Sequence, residues 1–261
     1  MINELVGGQR AHTIPEVVAI MTALEQELPE QDGVRWFNHL YLRVTKSVDH
    51  AVTTQTFRDR AFVERLDVVF ANLYFDAVAA GSRDAATTPA AWRPLFECRH
   101  RAGLLPIQFA LAGMNAHINR DLPQSIVSTY LATDGAPVVR NVRYEDYGRV
   151  NDLLETIEAQ IKADYSTGII AMVDAAAGNT DDAVAMWNVR AAREAAWTNA
   201  EVLWTLRATP HLGDAFFTRL DGFTGFAGRG LLVPVAMDRG VVSPGGNQPG
   251  ALYPSAATQR P

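Results

Sequence analysis

The sequence predicts an all-α fold, and three observations lead to this prediction. Apolar residues recur every three or four positions through most of the chain, the spacing of a helix face packed on a core. Capping residues, prolines and glycines punctuate these segments where helices would begin and end. Only residues 136–142 suit a strand, and they suit an extended connection equally well. We expect one all-α domain of about seven to nine helices over residues 10–236, followed by a Pro/Gly-rich tail at 237–261.

Three helices are expected in the first third of the chain. Thr13 is followed three residues later by Glu16, the spacing of a capping box, and Pro15 lies in the first turn. Two further segments carry apolar residues at helical spacing. They are "GVRWFNHLYLRVTKSVDHAV" and "DRAFVERLDVVFANLYFDAVAA".

The remainder of the chain also has helical patterns. A short helix is expected around Trp92, followed by the apolar run "LLPIQFALAG" and the helix "SIVSTYLAT". Two long helices come next: one runs toward Gly178, and the other has Thr180 or Asp181 as its N-cap. A glycine-interrupted helix precedes the tail, whose composition is typical of a mobile segment.

Composition and charge exclude several classes of protein. Apolar residues make up 48% of the 261 residues and charged residues 20%, the balance of a globular protein. Cys98 is the one cysteine, so no intrachain disulfide can form. The net charge is −6, Lys46 and Lys162 are the only lysines and the arginines are scattered, so we expect no nucleic-acid partner. No stretch of about 18 apolar residues occurs, so we expect no membrane span and a cytoplasmic location. The composition leaves a homo-oligomer open.

The segment "GMNAHINRDLPQS", residues 113–125, is the main candidate for a functional site. If it is helical, Asn115 and Asn119 share one face, while His117 and Asp121 share another. An imidazole and a carboxylate four residues apart can hold one divalent cation. Without metal, the carboxylate can orient the imidazole as a general acid/base.

A capping interpretation of the same segment is the alternative. Pro123 disfavours helical geometry at the residue before it, so a helix–break–helix junction is expected, with Asp121 as N-cap of the second helix. His117 would then be a buried histidine with a backbone partner. We favour a site, because the segment holds more polar groups than one cap needs. These are Asn115, His117, Asn119, Arg120 and Asp121.

Other polar residues lie within apolar helices. Asn38 and His39 occur beside Trp36 and Tyr41 in "RWFNHLYLRVT", and His39 is a weaker candidate metal ligand. Downstream, Arg193 and Trp197 are four residues apart and share a helix face. Arg193 could hold an anion or the carboxylate of Asp121, with Trp197 as an apolar wall.

Two further observations limit the reaction classes. Glu64 and Asp67 lie three residues apart on a strongly apolar helix. They could bind metal beside His117 if their face turns inward, but such acids are more often solvated, and we expect them to be solvated. The chain has no dinucleotide-binding glycine motif, P-loop, zinc-protease motif or nucleophile elbow.

The string "NAHINRDLP", with "RWFNHLYLRVT" upstream and "AREAAW" downstream, resembles a family of uncharacterised helical proteins common in actinobacteria. The similarity covers most of residues 10–236. It implies a shared polar centre at Asn115, His117, Asn119 and Asp121. That family is a domain of unknown function, so the resemblance implies a fold and supplies no reaction.

A weaker resemblance connects the same segment to zinc-dependent phospholipases C and single-strand zinc nucleases. His117, Asp121 and Leu122 match part of their motif, whereas Val127 stands in the place of a later histidine. The resemblance is limited to metal-ligand residue types carried on helices and does not indicate membership of that group.

The expected function is that of an enzyme acting on a small, largely apolar molecule by hydrolysis, isomerisation or cyclisation. His117 would be the acid/base or a metal ligand, Asp121 would orient it or share the metal, and one divalent ion is a candidate cofactor. Substrate would be bound by the polar and apolar residues of the pocket. These are Asn115, Asn119, Asn38, Trp36, Phe37, Tyr41, Arg193 and Trp197. The alternative is a non-enzymatic ligand-binding or interaction domain in which the polar cluster is structural.

Overall fold

The fold is described by a computed structural model that covers residues 2–8, 10–54, 56–164 and 188–234. Within these ranges, only the backbone is described at residue 3 and at 155–164. The predicted tail, the end of the long helix near Gly178 and the N-cap at Thr180 or Asp181 lie outside the described residues.

The described part of the chain is helical throughout and contains no strand, which confirms the all-α prediction. With α6, a π-helical segment and α7 counted as one continuous helix, the described ranges contain nine α-helices. The elements are α1 (Ile2–Val6), α2 (Ile14–Glu27), α3 (Gly33–Thr53), α4 (Arg60–Arg83), a 3₁₀ turn (Ala85–Thr87), α5 (Arg93–Cys98), α6 (Pro106–Ala116), the π segment (His117–Asp121), α7 (Leu122–Leu131), α8 (Val142–Asp164), α9 (Val189–Leu206) and α10 (Pro210–Leu231).

Side-chain caps explain where several helices begin. The Thr13 hydroxyl accepts a hydrogen bond from the Glu16 amide, as the spacing predicted, and fixes the start of α2. Asp32 caps α3 in the same way, and Asp59 caps α4. Residues 136–141 form an extended connection with a turn, and α8 begins directly after them.

The core is built around α3 and α4, and it positions the candidate site. Helix α3 packs against α2 and α6, and α4 packs against α7. The contacts between α7 and α9 and between α6 and α10 complete the bundle on the other side. Several large buried side chains converge on the π segment from α3, from α4 and from the loop before α5. They are Phe37, Tyr41, Phe70, Tyr74 and Trp92.

Within the described ranges, no helix is both long enough and apolar enough to cross a membrane.

A close backbone contact at Gly225 anchors α10 and yields a stability prediction. A Cβ at Gly225 would lie 2.2 Å from the Ala90 carbonyl oxygen. One turn earlier, the Asp221 carboxylate accepts hydrogen bonds from the amides of Ala90 and Ala91, each 2.9 Å long. Replacing Gly225 with alanine forces α10 away from this loop, so we expect the free energy of unfolding in urea to fall by about 2–3 kcal/mol.

Gly222 provides the matched control on the same helix, because a Cβ there meets nothing within 4 Å. Gly222→Ala removes the backbone entropy cost of glycine without a clash, so the free energy of unfolding should rise by about 0.5–1 kcal/mol. If Gly225→Ala and Gly222→Ala changed the free energy of unfolding equally, the proposed role of the contact between Gly225 and Ala90 would be contradicted.

Candidate active site

The polar segment forms a wide helical turn rather than a break. The Leu122 amide donates to the carbonyl of His117 five residues earlier, the bonding pattern of a π-helix. Asp121 and Leu122 both have right-handed helical backbone angles, and the Asp121 side chain makes no capping hydrogen bond. The predicted helix–break–helix junction is therefore wrong. Helix α7 does begin at Leu122, directly after Asp121 as predicted, but the Asp121 side chain does not cap it. Pro123 lacks an amide proton and its ring crowds the preceding turn; the chain accommodates it by widening that turn.

The carboxylate of Asp121 is the centre of a buried hydrogen-bond network. Its Oδ2 lies 3.0 Å from Nδ1 of His117 and accepts a 2.8 Å hydrogen bond from the Trp92 indole. Its Oδ1 accepts a 2.5 Å hydrogen bond from the Arg120 guanidinium. Asp121 is fully buried and His117 is 2% exposed. The i,i+4 pair expected from the sequence is therefore present, and its two members face each other.

Arg120 extends the network to α10. Its Nε lies 2.9 Å from Oδ1 of Asp221, although the angle is too poor for a hydrogen bond, so the contact is an ion pair. Asp221 in turn holds the amides of Ala90 and Ala91, just before α5. The network thus ties the π segment to α10 and to the loop that carries Trp92.

The His117 imidazole is neutral and has one free nitrogen. Burial lowers its pKa, and this effect outweighs the opposing influence of the Asp121 carboxylate. A carboxylate next to Nδ1 stabilises the tautomer in which Nδ1 carries the proton, so Nε2 bears the lone pair. Nε2 is buried and has no hydrogen-bond partner among the described residues.

Aromatic rings surround this imidazole. The Phe70 ring stacks on it with a centroid distance of 3.5 Å and an interplanar angle of 5°. Tyr41 lies next, with its ring centroid 4.6 Å away. The Tyr41 hydroxyl is buried beside the Thr45 side chain but makes no well-formed hydrogen bond in the described ranges, and burial raises its pKa well above the ordinary value. Tyr41 is therefore a neutral phenol beside the imidazole.

The two asparagines of the segment lie on the opposite face of the helix. Asn119 donates to the side-chain oxygen of Asn115, and Asn115 donates to the Thr224 carbonyl of α10. Both line a pocket of about 180 Å³ between α6, α9 and α10, and His117 is not among its lining residues. The structure therefore separates Asn115 and Asn119 from the dyad with which the sequence grouped them.

The predicted residues of α3 have separate roles. Asn38 is fully buried, donates to the Met21 carbonyl and accepts from the Tyr74 hydroxyl. Trp36 is partly buried and packs on the margin of the core. The His39 ring lies 2.6 Å from the Glu25 carboxylate and its side chain is 43% exposed, so His39 forms a surface hydrogen bond apart from His117.

The predicted residues of α9 form a second buried cluster. Arg193 donates to the side-chain oxygen of Asn151 and to the backbone carbonyl of Tyr147. Of the two roles considered for Arg193, holding the Asp121 carboxylate is wrong, because Arg120 binds that carboxylate from the adjacent position. Trp197 is buried among aromatic rings of the neighbouring helices. These rings belong to Tyr130, Tyr144 and Tyr147.

The contacts of the dyad also bear on metal binding. Both Asp121 oxygens already accept hydrogen bonds from side chains, and Nδ1 of His117 faces Asp121, so Nε2 is the ligand atom that remains. In the part of the chain that the structure describes, no group of three or more His, Cys, Asp or Glu residues is placed to hold a metal ion. A larger pocket of about 600 Å³ between the loop before α2, α3 and α4 contains none of the predicted site residues.

Sequence analysis missed Trp92 as a site residue and expected a different environment for Asp67. A buried indole needs a hydrogen-bond acceptor, which is a signal for Trp92, but the sequence does not indicate that the acceptor lies 29 residues away at Asp121. Asp67 was expected to be solvated, whereas its Oδ2 is buried and has no partner among the described residues. Burial raises the pKa of Asp67 to about 7, helped by the nearby charge of Asp49 and opposed by that of Arg193.

Comparison with known proteins identifies a family and no activity. No curated protein and no solved structure matches the chain. Residues 14–234, which include every helix from α2 to α10, match a family described as a family of unknown function, DUF5995. The match spans well over half of the chain, and the protein therefore belongs to the DUF5995 family of unknown function.

Proposed function

We propose that the protein is an enzyme in which His117 acts as a general base toward a small, largely apolar organic molecule. One observation carries the proposal: Nδ1 of the imidazole is held by Asp121, while Nε2 is buried without a partner among the described residues. A carboxylate that accepts from Nδ1–H keeps the lone pair on Nε2 and stabilises the cation formed when Nε2 takes a proton. Because burial keeps the ring neutral, this lone pair is available near pH 7.

The surroundings of Nε2 favour proton abstraction from a carbon next to a carbonyl. His117 would take the proton at Nε2, and the neutral Tyr41 hydroxyl would donate a hydrogen bond to the oxygen on which negative charge develops. The rings of Phe37, Phe70 and Tyr41 would contact the apolar body of the substrate. Isomerisation or cyclisation without metal follows from this arrangement, since both oxygens of Asp121 are already engaged.

A second candidate is a non-enzymatic domain in which the network is structural. The observation that favours it is the near-complete burial of the ring, which is 2% exposed and stacked on Phe70. A ligand reaches Nε2 only when neighbouring side chains move. The two candidates differ in what a substitution of His117 changes: proton transfer in the first, stability alone in the second.

Hydrogen exchange at carbon tests the enzymatic proposal without knowledge of the product. The full chain would be incubated in D₂O with a panel of small aryl and alkyl ketones and carboxylic acids, and deuterium at the carbon next to the carbonyl measured by mass spectrometry. A general base contributes about 10²–10⁴-fold to such a step. We expect the wild type to accelerate exchange for a subset of the panel and His117→Gln to lose that acceleration.

His50→Gln is the matched control, because His50 is exposed near the end of α3, away from the network. This variant should exchange at the wild-type rate. Circular dichroism and thermal unfolding establish that His117→Gln is folded under the assay conditions. The proposal fails if no compound exchanges above the buffer rate, or if His117→Gln and the wild type exchange equally fast.

A further inference from the structure

Arg193 is a buried cation whose hydrogen-bond acceptors carry no charge. The residue is 6% exposed. Its Nε donates to Oδ1 of Asn151 at 2.6 Å, its Nη2 donates to the Tyr147 carbonyl at 3.2 Å, and its guanidinium lies 4.2 Å from the centre of the Tyr147 ring. In the described ranges, no carboxylate oxygen lies within 4.0 Å of this guanidinium, although a buried charge is ordinarily paired.

The other well-buried arginines of the bundle show what is missing at Arg193. Arg99, with a side chain 11% exposed, makes a salt bridge with Asp32. Arg120, with a side chain 14% exposed, bonds to Asp121 and pairs with Asp221. Arg193 is less exposed than either. The bundle therefore compensates comparable buried arginines with carboxylates and leaves this one without such a partner among the described residues.

Two further donors beside Arg193 also lack acceptors. The oxygen of the Asn151 amide is oriented by the guanidinium, which can only donate, so Nδ2 of the same amide is turned outward from that bond. Nδ2 of Asn151 and Nε1 of Trp197 are buried and have no hydrogen-bond partner among the described residues. Trp197 follows Arg193 by one helical turn, and both side chains contact the Tyr147 ring. A cation and two unpartnered N–H donors thus lie around one aromatic ring.

The chemistry of these groups defines the ligand. A guanidinium with neighbouring N–H donors binds an oxyanion, and the planar guanidinium matches the two oxygens of a carboxylate. One negative charge balances one arginine, whereas a doubly charged phosphate would bring excess charge into a cluster of aromatic rings. The rings around Trp197 suit an apolar body attached to the carboxylate. They belong to Tyr130, Tyr144 and Tyr147.

Asp67, an acid whose pKa is affected by the charge of Arg193, does not replace such a ligand. The charge of Arg193 lowers the pKa of Asp67, yet burial dominates and holds that pKa at about 7. Asp67 therefore carries a full negative charge only above neutral pH.

We propose that Arg193, Asn151 and Trp197 form an internal binding site for the carboxylate of a small apolar monocarboxylic acid. In naming a substrate class, this inference rests on the function proposed above; the binding site itself does not depend on His117. Electrostatic influence links the two sites, since the charge of Arg193 affects the pKa of Asp67, the charge of Asp67 affects the pKa of Tyr41, and Tyr41 contacts His117.

Calorimetric titration of the full chain with phenylacetate and with 2-phenylethanol tests the proposal, because the two compounds differ mainly in the carboxylate. We expect one phenylacetate per chain and binding of the alcohol weaker by at least about tenfold. Removing one partner of a buried charge pair typically weakens binding by roughly 30-fold or more, and we expect such a loss in Arg193→Gln. Trp197→Phe keeps an aromatic ring and removes one donor, so its affinity should fall by about three- to tenfold.

Arg190→Gln is the matched control, since Arg190 is exposed on the preceding turn and contacts Asp152. It should bind phenylacetate as the wild type does. Absence of phenylacetate binding, equal affinity for the alcohol, or full affinity in both Arg193→Gln and Trp197→Phe would overturn the proposal. Trp197→Phe keeps the test decisive if Arg193→Gln does not fold.

The same titration separates this inference from the proposed function. His117→Gln should retain phenylacetate binding and lose deuterium exchange. Phenylacetate binding without deuterium exchange in the wild type would contradict the proposed role of His117 and support the carboxylate site. Deuterium exchange without phenylacetate binding would contradict the carboxylate site and leave the proposed role of His117 in place.

Discussion

Replacement of Asp121 with alanine is expected to lower the free energy of unfolding by about 3–5 kcal/mol, the usual cost of removing one partner from a buried ion pair. The carboxylate accepts from Trp92, His117 and Arg120, and alanine leaves all three donors without that acceptor. The Arg120 charge would keep only its misaligned contact with Asp221. Urea unfolding followed by tryptophan fluorescence measures the loss directly.

Asp121→Asn separates the structural role of this residue from its role in orienting the imidazole. Asparagine has the same shape and keeps one oxygen as an acceptor, so the variant should be more stable than Asp121→Ala. Its amide can donate to Nδ1 of His117, which shifts the ring proton to Nε2 and removes the lone pair. Deuterium exchange should then fall by about 10²–10⁴-fold in a folded protein.

Asp76→Asn controls for the loss of an acidic side chain at the surface. Asp76 is 53% exposed and pairs with Arg10, and such surface pairs contribute about 0–1 kcal/mol. If Asp121→Ala cost no more than Asp76→Asn, the network around Asp121 would have no measurable structural role.

Local signals explain the parts of the fold that sequence analysis predicted. The start of α2 depends on the Thr13 hydroxyl and the Glu16 amide, which are three residues apart. The apolar face of α3 follows from spacing within one segment. Such interactions are contained in a short window of sequence, so they can be inferred without knowing which helices meet.

The π segment shows where a local rule gave the wrong answer. Pro123 was expected to break the helix, and the expectation that Asp121 caps a new helix depended on that break. In the fold, the aromatic rings around His117 and the acceptors around Arg120 hold the segment helical on both sides, and one widened turn accommodates the proline. The i,i+4 pairing of His117 and Asp121 persisted because it requires only that the chain remain helical between them.

Contacts between distant residues are the part that the sequence does not determine. Trp92 reaches Asp121 from the loop before α5, and Phe70 stacks on His117 from α4. Asn115 and Asn119 were grouped with His117 by proximity in the chain, but a helix directs them to its opposite face, toward α9 and α10. Tertiary packing decides which of two polar faces meets the core, and residue spacing alone leaves that choice open.

Asp67 carries the second large prediction, which concerns stability as a function of pH. Its pKa is raised from 3.8 to about 7 in the folded chain. Between these values the folded state binds a proton that the unfolded state has lost, so folding stability falls as pH rises. Below about 3.8 both states are protonated and above about 7 both are ionised, so the decrease is confined to this window.

Asp67→Asn removes this decrease, because an amide does not ionise. We expect the variant and the wild type to have similar free energies of unfolding at about pH 4, with the variant more stable by about 2–4 kcal/mol at about pH 8. Urea unfolding at several pH values measures the difference. Asp76→Asn, on the same helix but exposed, is the control for the loss of an acidic side chain.

A gain of constant size across the pH range would mean that Asp67 does not titrate in this window. A pH-dependent gain has a functional consequence, since a buried acid that lowers stability at neutral pH is the kind of residue that a binding site retains. The charge of Asp67 raises the pKa of Tyr41, and the charge of Arg193 lowers the pKa of Asp67. If Asp67→Asn also changes the affinity for phenylacetate, the destabilising acid belongs to the same internal site as the carboxylate ligand, and the cost to stability is explained by binding.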